Sequence, residues 1–141
     1  MDGFNHTANS KFSPSTDDIM NIDNLKSQMR KGMLEFCVLL LLKRGDAYAS
    51  EMITRLKEAH LIVMEGTLYP LLTRLKNDGL LAYRWEESTQ GPPRKYYSIT
   101  SLGLQFLEQL QESWNEIARS VYLLLSENNS LTESTNNSET E

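Results

Sequence analysis

Apolar residues follow a helical period through most of residues 25–125, broken by one short stretch of strand-like alternation. The first helical segment runs from about Leu25 to Arg44. Its second half, Cys37 to Leu42, is apolar all round, which implies burial on more than one side. Lys43 and Arg44 suit the negative end of that helix, and Gly45 suits the position just past it. A second helix covers roughly Tyr48 to Ala59, where Ala49, Met52, Ile53 and Leu56 form one stripe. A link from His60 to Glu65 leads to a third helix, roughly Gly66 to Asn77, with Leu68, Leu71, Leu72 and Leu75 inward. Tyr69, Thr73 and Lys76 fall on another face, beside Arg74. Pro70 is expected in the first turn, where helix amides lack partners anyway, and Asp78-Gly79 ends the helix.

Leu81, Tyr83 and Trp85 then alternate with Ala82, Arg84 and Glu86, as in a half-buried strand. Gln90 to Pro93 reads as a loop, and Arg94 to Ile99 as the return strand. Thr100 is placed to cap a last helix reaching about Leu125. Along it Gly103, Leu107, Leu110, Trp114, Ile117, Val121 and Leu124 keep a heptad seam, which calls for a partner helix, most simply that of a second copy. The fold class expected is mainly α with a small β-hairpin wing: a winged helix-turn-helix plus a long C-terminal dimerisation helix. Its parts are the winged helix-turn-helix at 25–100 and the dimerisation helix at 101–125. Residues 1–24 and 126–141 are polar, acidic and aperiodic, and are expected to be disordered tails.

Charge changes this picture only through its distribution. The formal net charge is -5, but residues 1–24 hold four acids against one lysine, and 126–141 hold four acids and no base. Residues 25–105 hold twelve bases and eight acids, a net of +4 that dimerisation would double. The single cysteine, Cys37, excludes a disulfide within the chain, and it reads as an inert core residue. No apolar run approaches the length of a membrane span, and the N-terminus lacks the apolar centre of a signal peptide, so a cytoplasmic protein with no membrane partner is expected. One cysteine and two separated histidines do not make a zinc site, and no nucleophile–base set or phosphate loop is visible. Neither catalysis, metal nor cofactor is expected.

The candidate chemistry is nucleic-acid contact. A helix with a polar, basic outer face, followed by a hairpin with a basic arm, fits a major groove and its flanking phosphates. Thr67 and Tyr69 stand at the reading end of the third helix, with Thr73 further along; Arg74 and Lys76 suit phosphates or a guanine edge. Arg94 and Lys95 on the wing suit phosphates, while Arg84 reads as a surface residue. Ser50 suits either a phosphate or a helix cap. The competing readings are a solvated helix face, a Tyr69 ring packed under its helix, and a winged-helix module used for protein contact.

Gly45-Asp46-Ala47-Tyr48, Glu65 to Leu72, Asn77-Asp78-Gly79-Leu80, and Gly91 to Thr100 with Gly103 together carry a resemblance. The chain resembles the PadR family of winged-helix transcriptional regulators, in its compact form with one C-terminal helix, over about residues 25–125. The resemblance implies a homodimer bound to a pseudo-palindromic double-stranded DNA operator, usually as a repressor. Ala49 stands where members often carry glycine, and Ser98 where they often carry a third base. Some compact members bind planar drugs between their dimer helices. Trp114 then has two readings: plain packing in a dimer seam of Leu107, Leu110, Ile117, Val121 and Leu124, or a wall for a planar aromatic molecule. In the second, Met29, Phe36, Leu110 and Ala118 are the further walls.

Overall fold

The computed structural model describes residues 21–136. Its elements are α1 (Ile22–Arg44), β1 (Ala47–Tyr48), α2 (Ala49–Glu58), α3 (Glu65–Asn77), β2 (Leu81–Ser88), β3 (Gly91–Ile99) and α4 (Ser101–Asn136). The chain divides after Met33 into two units, and α1 crosses the division. In the first unit the described part is the exposed start of α1, where Asn21 Oδ1 accepts the Asp23 N–H at 3.0 Å. That cap starts the helix at Ile22, so 22–24 are helical where a tail was expected. The rest of that N-terminal tail, 1–20, lies outside the described residues.

The second unit is a winged helix-turn-helix with a long C-terminal helix. Its core draws Val38, Leu39 and Leu42 from α1, Met52 and Leu56 from α2, and all four expected leucines from α3. Two helix ends use the same device. Leu61 N–H bonds to Leu56 O and His60 N–H to Lys57 O; Leu80 N–H bonds to Leu75 O and Gly79 N–H to Lys76 O. Each pair closes a helix through one residue in the left-handed region, His60 at φ 63° and Gly79 at φ 80°. These closures set the turn between α2 and α3 and the entry to the wing.

The sheet has the order β1-β3-β2, all antiparallel. The two-residue β1 was not foreseen, because a strand that short has no period to read; Ala47 pairs with Tyr97 and Tyr48 with Tyr96. The return strand starts at Gly91, so the expected loop at Gln90 to Pro93 shrinks to a tight turn after Ser88. Both prolines lie on the exposed end of the hairpin, where the missing amide breaks no central ladder. Pro70 is also displaced from expectation. With α3 starting at Glu65 it lies past the first turn and leaves the Gly66 carbonyl without its helical donor; both residues are exposed, so water can take that place.

Thr100 caps α4 as expected: its hydroxyl accepts the Gly103 N–H at 3.0 Å and donates to Gly79 O at 2.6 Å. The helix runs on to Asn136, through 126–136, where a tail was expected. No glycine or proline lies between Gly103 and Asn136, so no helix breaker interrupts it there. At 36 residues it spans about 54 Å. Residues 137–141 lie outside the described residues.

Candidate nucleic-acid interface

With its leucine stripe buried, α3 turns the opposite face to solvent. Residues seven apart on a helix share a flank, so Thr67 and Arg74 lie on one side of that face and Tyr69 and Lys76 on the other. Gly66, Pro70, Thr73 and Asn77 run between them, all exposed. Tyr69 is 48% exposed, so its ring does not pack under the helix. The Thr73 hydroxyl donates to Tyr69 O at 3.1 Å, which leaves its lone pairs outward. Arg74 is turned away from this set and pairs with Glu35 of α1. Its charge is partly met by this surface ion pair, a partner that helix spacing within α3 alone did not show.

The wing covers the Tyr69–Lys76 flank. Strand alternation puts Leu81, Tyr83 and Trp85 on one face of β2, opposite Ile99, Tyr97 and Lys95 of β3. Leu81 and Tyr97 are buried, and Lys76 lies 5.6 Å from the Tyr83 ring, so this face meets α3. Lys95 stands over the same ring at 4.5 Å and over Trp85 at 5.5 Å. Burial pushes the Tyr97 hydroxyl's pKa up, with Tyr69 and Tyr83 adding to it, so it stays a neutral donor.

A groove of about 380 Å³ runs between α3 and the wing, lined by Ser50, Tyr69, Thr73, Trp85, Arg94 and Lys95 among others. A smaller hollow of about 100 Å³ adjoins it at Thr73, Lys76 and Lys95. The structure thus brings five of the eight expected contact residues to one groove, puts Lys76 in the hollow beside it, and leaves Thr67 and Arg74 on the far flank. Ser50 is not a cap: Tyr48 is the first cap residue of α2, and its N–H bonds to Glu51 Oε2 at 3.1 Å. Ser50 is exposed on the groove wall. Five lining residues were missed in the sequence: Tyr48, Ala49, Trp85, Pro93 and Tyr97. The alternation of β2 already paired Trp85 with Tyr83; what was missing was the register that sets Lys95 opposite it. Chemically the groove offers two or three cations, hydroxyl donors and flat rings, the mixture that holds a sugar–phosphate backbone against a reading helix.

The family description that fits this geometry is the transcriptional regulator PadR-like family, which matches residues 38–109. The chain belongs to that family. A PadR-like transcription factor from Bacteroides fragilis is 65% identical, covering 72% of this chain and 99% of its own, with a TM-score of 0.62. A PadR family regulator from Eggerthella lenta is 35% identical over 77% and 94% of the two chains, with a TM-score of 0.68. An uncharacterized protein of Lysinibacillus sphaericus is 29% identical over 104 residues, 72% of this chain and 95% of its own. The solved PadR-like relatives are transcriptional regulators, not enzymes.

In this PadR-like chain the α4 seam divides in two. Gly103 and Leu107 are buried, Leu107 to 1% exposure, so Leu107 belongs to the chain's own core and not to a dimer seam. Leu110 is half-buried. From Trp114, 42% exposed, the stripe continues outward through Ile117, Val121 and Leu124. Leu131 extends it by one more heptad, because the helix is longer than expected. Of the expected ligand walls, Phe36 is buried in the core and Ala118 is half-buried on α4, while Met29 is exposed in the first unit. Burial pushes the Cys37 thiol up from its ordinary pKa, which disfavours the reactive thiolate. Among the described residues no helix is long and apolar enough to cross a membrane.

Proposed function

We propose that this regulator acts as a homodimeric repressor that sets two copies of α3 in successive major grooves of a pseudo-palindromic operator, with each wing on the flanking phosphates. The observation that carries the reading is the one groove lined together by Ser50 of α2, Tyr69 and Thr73 of α3, and Arg94 and Lys95 of the wing. Thr67 at the start of α3 and Lys76 at its end extend this surface, and Arg74 joins it if Glu35 releases it. The exposed seam from Trp114 to Leu124 supports dimerisation through α4.

Selection of bound duplexes from a random pool tests this directly. The expected result is a two-fold-symmetric site whose affinity falls steeply with salt and weakens on Arg94→Ala or Lys76→Ala. A flat salt dependence, with both variants binding like the parent chain, would falsify the reading. A promoter carrying the selected site is expected to fall in output when the protein is present; a rise would make it an activator. A second reading rests on the exposed Trp114 within an apolar face: a planar aromatic effector stacks there between two copies and releases the operator. Quenching of tryptophan emission by planar aromatics, abolished in Trp114→Ala, supports it, and unchanged emission at saturating compound rejects it.

A further inference from the structure

At the edge of the groove two stacked rings lie between two guanidinium groups. The Arg84 guanidinium lies 4.5 Å from the Tyr96 ring centre, Tyr96 lies 4.7 Å from Tyr48, and the Arg94 guanidinium lies 4.0 Å from Tyr48. All three spacings fall within the range of attractive cation–ring and ring–ring contact. The stack spans all three strands, since Tyr48 of β1 pairs with Tyr96 of β3, and Arg84 of β2 pairs with the same Tyr96 from the other side. Its two ends differ. Arg84 is tied down by Asp46 at 3.0 Å and Glu86 at 2.7 Å. Arg94 has no carboxylate partner among the described residues, although Glu86 stands directly opposite it across the strands. The Glu86 carboxylate is held by Arg84 instead.

We propose that Tyr48 is a positioning residue for DNA binding: it holds the Arg94 guanidinium by its flat face at the groove edge, so that its N–H edge is presented to a phosphate. A stacked guanidinium keeps its donors in the guanidinium plane and free, so stacking and phosphate binding do not compete. Holding the side chain in place before DNA arrives removes part of the ordering cost of binding. Tyr96 and Arg84 back the Tyr48 ring, and Arg84 keeps Glu86 from neutralising Arg94. The proposal rests on the DNA reading of the groove, and the test separates the two.

The test uses the full chain and a duplex selected from a random pool, with Tyr48→Leu, Tyr48→Phe, Arg94→Ala and the double variant Tyr48→Leu/Arg94→Ala. Tyr48→Leu is expected to bind about tenfold more weakly. Its salt slope is expected to drop by about 0.9 for each phosphate that the variant no longer neutralises. Tyr48→Phe, which keeps the ring, is expected to bind like the parent. In the Arg94→Ala background, Tyr48→Leu is expected to add nothing. Equal affinity and slope for Tyr48→Leu and the parent chain overturns the proposal, as does an equal weakening by Tyr48→Leu with Arg94 absent. Should Tyr48→Leu not fold by circular dichroism, Tyr96→Leu interrupts the same stack and is read in the same way. The stack itself is read without DNA: the Arg94 side-chain protons are expected to be shifted upfield by the Tyr48 ring in the free protein, and to return to their ordinary positions in Tyr48→Leu. An unshifted Arg94 overturns the proposal even if DNA binds. A shifted Arg94 in a chain that retains no duplex removes the DNA reading, and with it the role given to Tyr48.

Discussion

His60 closes α2 at φ 63°, a backbone region that costs a residue with a Cβ about 1 kcal/mol or more. The equivalent position after α3 is Gly79, which adopts the same turn without that cost. His60→Gly is therefore expected to raise stability by about 1 kcal/mol, measured as a higher urea midpoint at unchanged slope. An unchanged midpoint would mean that the imidazole makes up the difference. Cys37 gives a second residue-scale expectation. Burial raises its pKa, so less thiolate is present at neutral pH, and a thiol reagent should label it more slowly than free cysteine. The rate is expected to climb with pH beyond the ordinary thiol range. Fast labelling at pH 7 in the folded protein would contradict the burial. At this scale the sequence was informative wherever a residue acts alone, as with Thr100, and silent wherever it acts through a distant neighbour. Arg74 with Glu35 and Arg94 with Tyr48 are of the second kind.

Among the elements, the junction of α3, the wing and α4 is the tightest. Thr100 ties Gly79 O and Leu80 O to the first turn of α4, and Gly103 lies so close that an added Cβ would fall on the Leu80 carbonyl. Gly103→Ala is expected to cost about 2–3 kcal/mol, because neither the carbonyl nor the turn that carries it can yield cheaply. Thermal unfolding checks this, and a midpoint equal to the parent's would show that α4 can shift outward. The helices were legible in sequence because each carries a leucine or mixed apolar stripe over several turns. Their ends were less so. α1 begins earlier and α4 ends later than expected, since a side-chain cap and the lack of a breaker, not periodicity, set those ends. β1 was invisible because two residues show no alternation; only pairing with Tyr96 and Tyr97 makes it a strand.

For the whole molecule, the exposed stripe on α4 dominates. Trp114, Ile117, Val121 and Leu124 at 3, 4 and 3 spacing would leave a continuous apolar strip in water on a single copy. Ile117→Glu is expected to place two like charges across the seam and shift the protein toward a single subunit in sedimentation. The circular dichroism of the winged domain should stay unchanged, since Ile117 is exposed and outside its core. Retained dimer mass would place the dimer interface elsewhere. A monomeric variant should also weaken operator binding far more than any single groove substitution, because two linked half-sites gain from each other's proximity.

Taken alone, the chain's sequence settled the order of helices, the hairpin, the cap at Thr100 and the polar face of the third helix. All of these depend on interactions between residues near in sequence, where spacing is enough to define the neighbour. Tertiary structure decided which flank of that helix the wing covers, and that Arg74 pairs with Glu35 at the surface while Lys76 turns to the hollow beside the groove. It also placed Leu107 in the chain's own core and stacked Tyr48 under Arg94. Those outcomes follow from strand register and from the packing of separate elements, which a one-dimensional pattern does not contain.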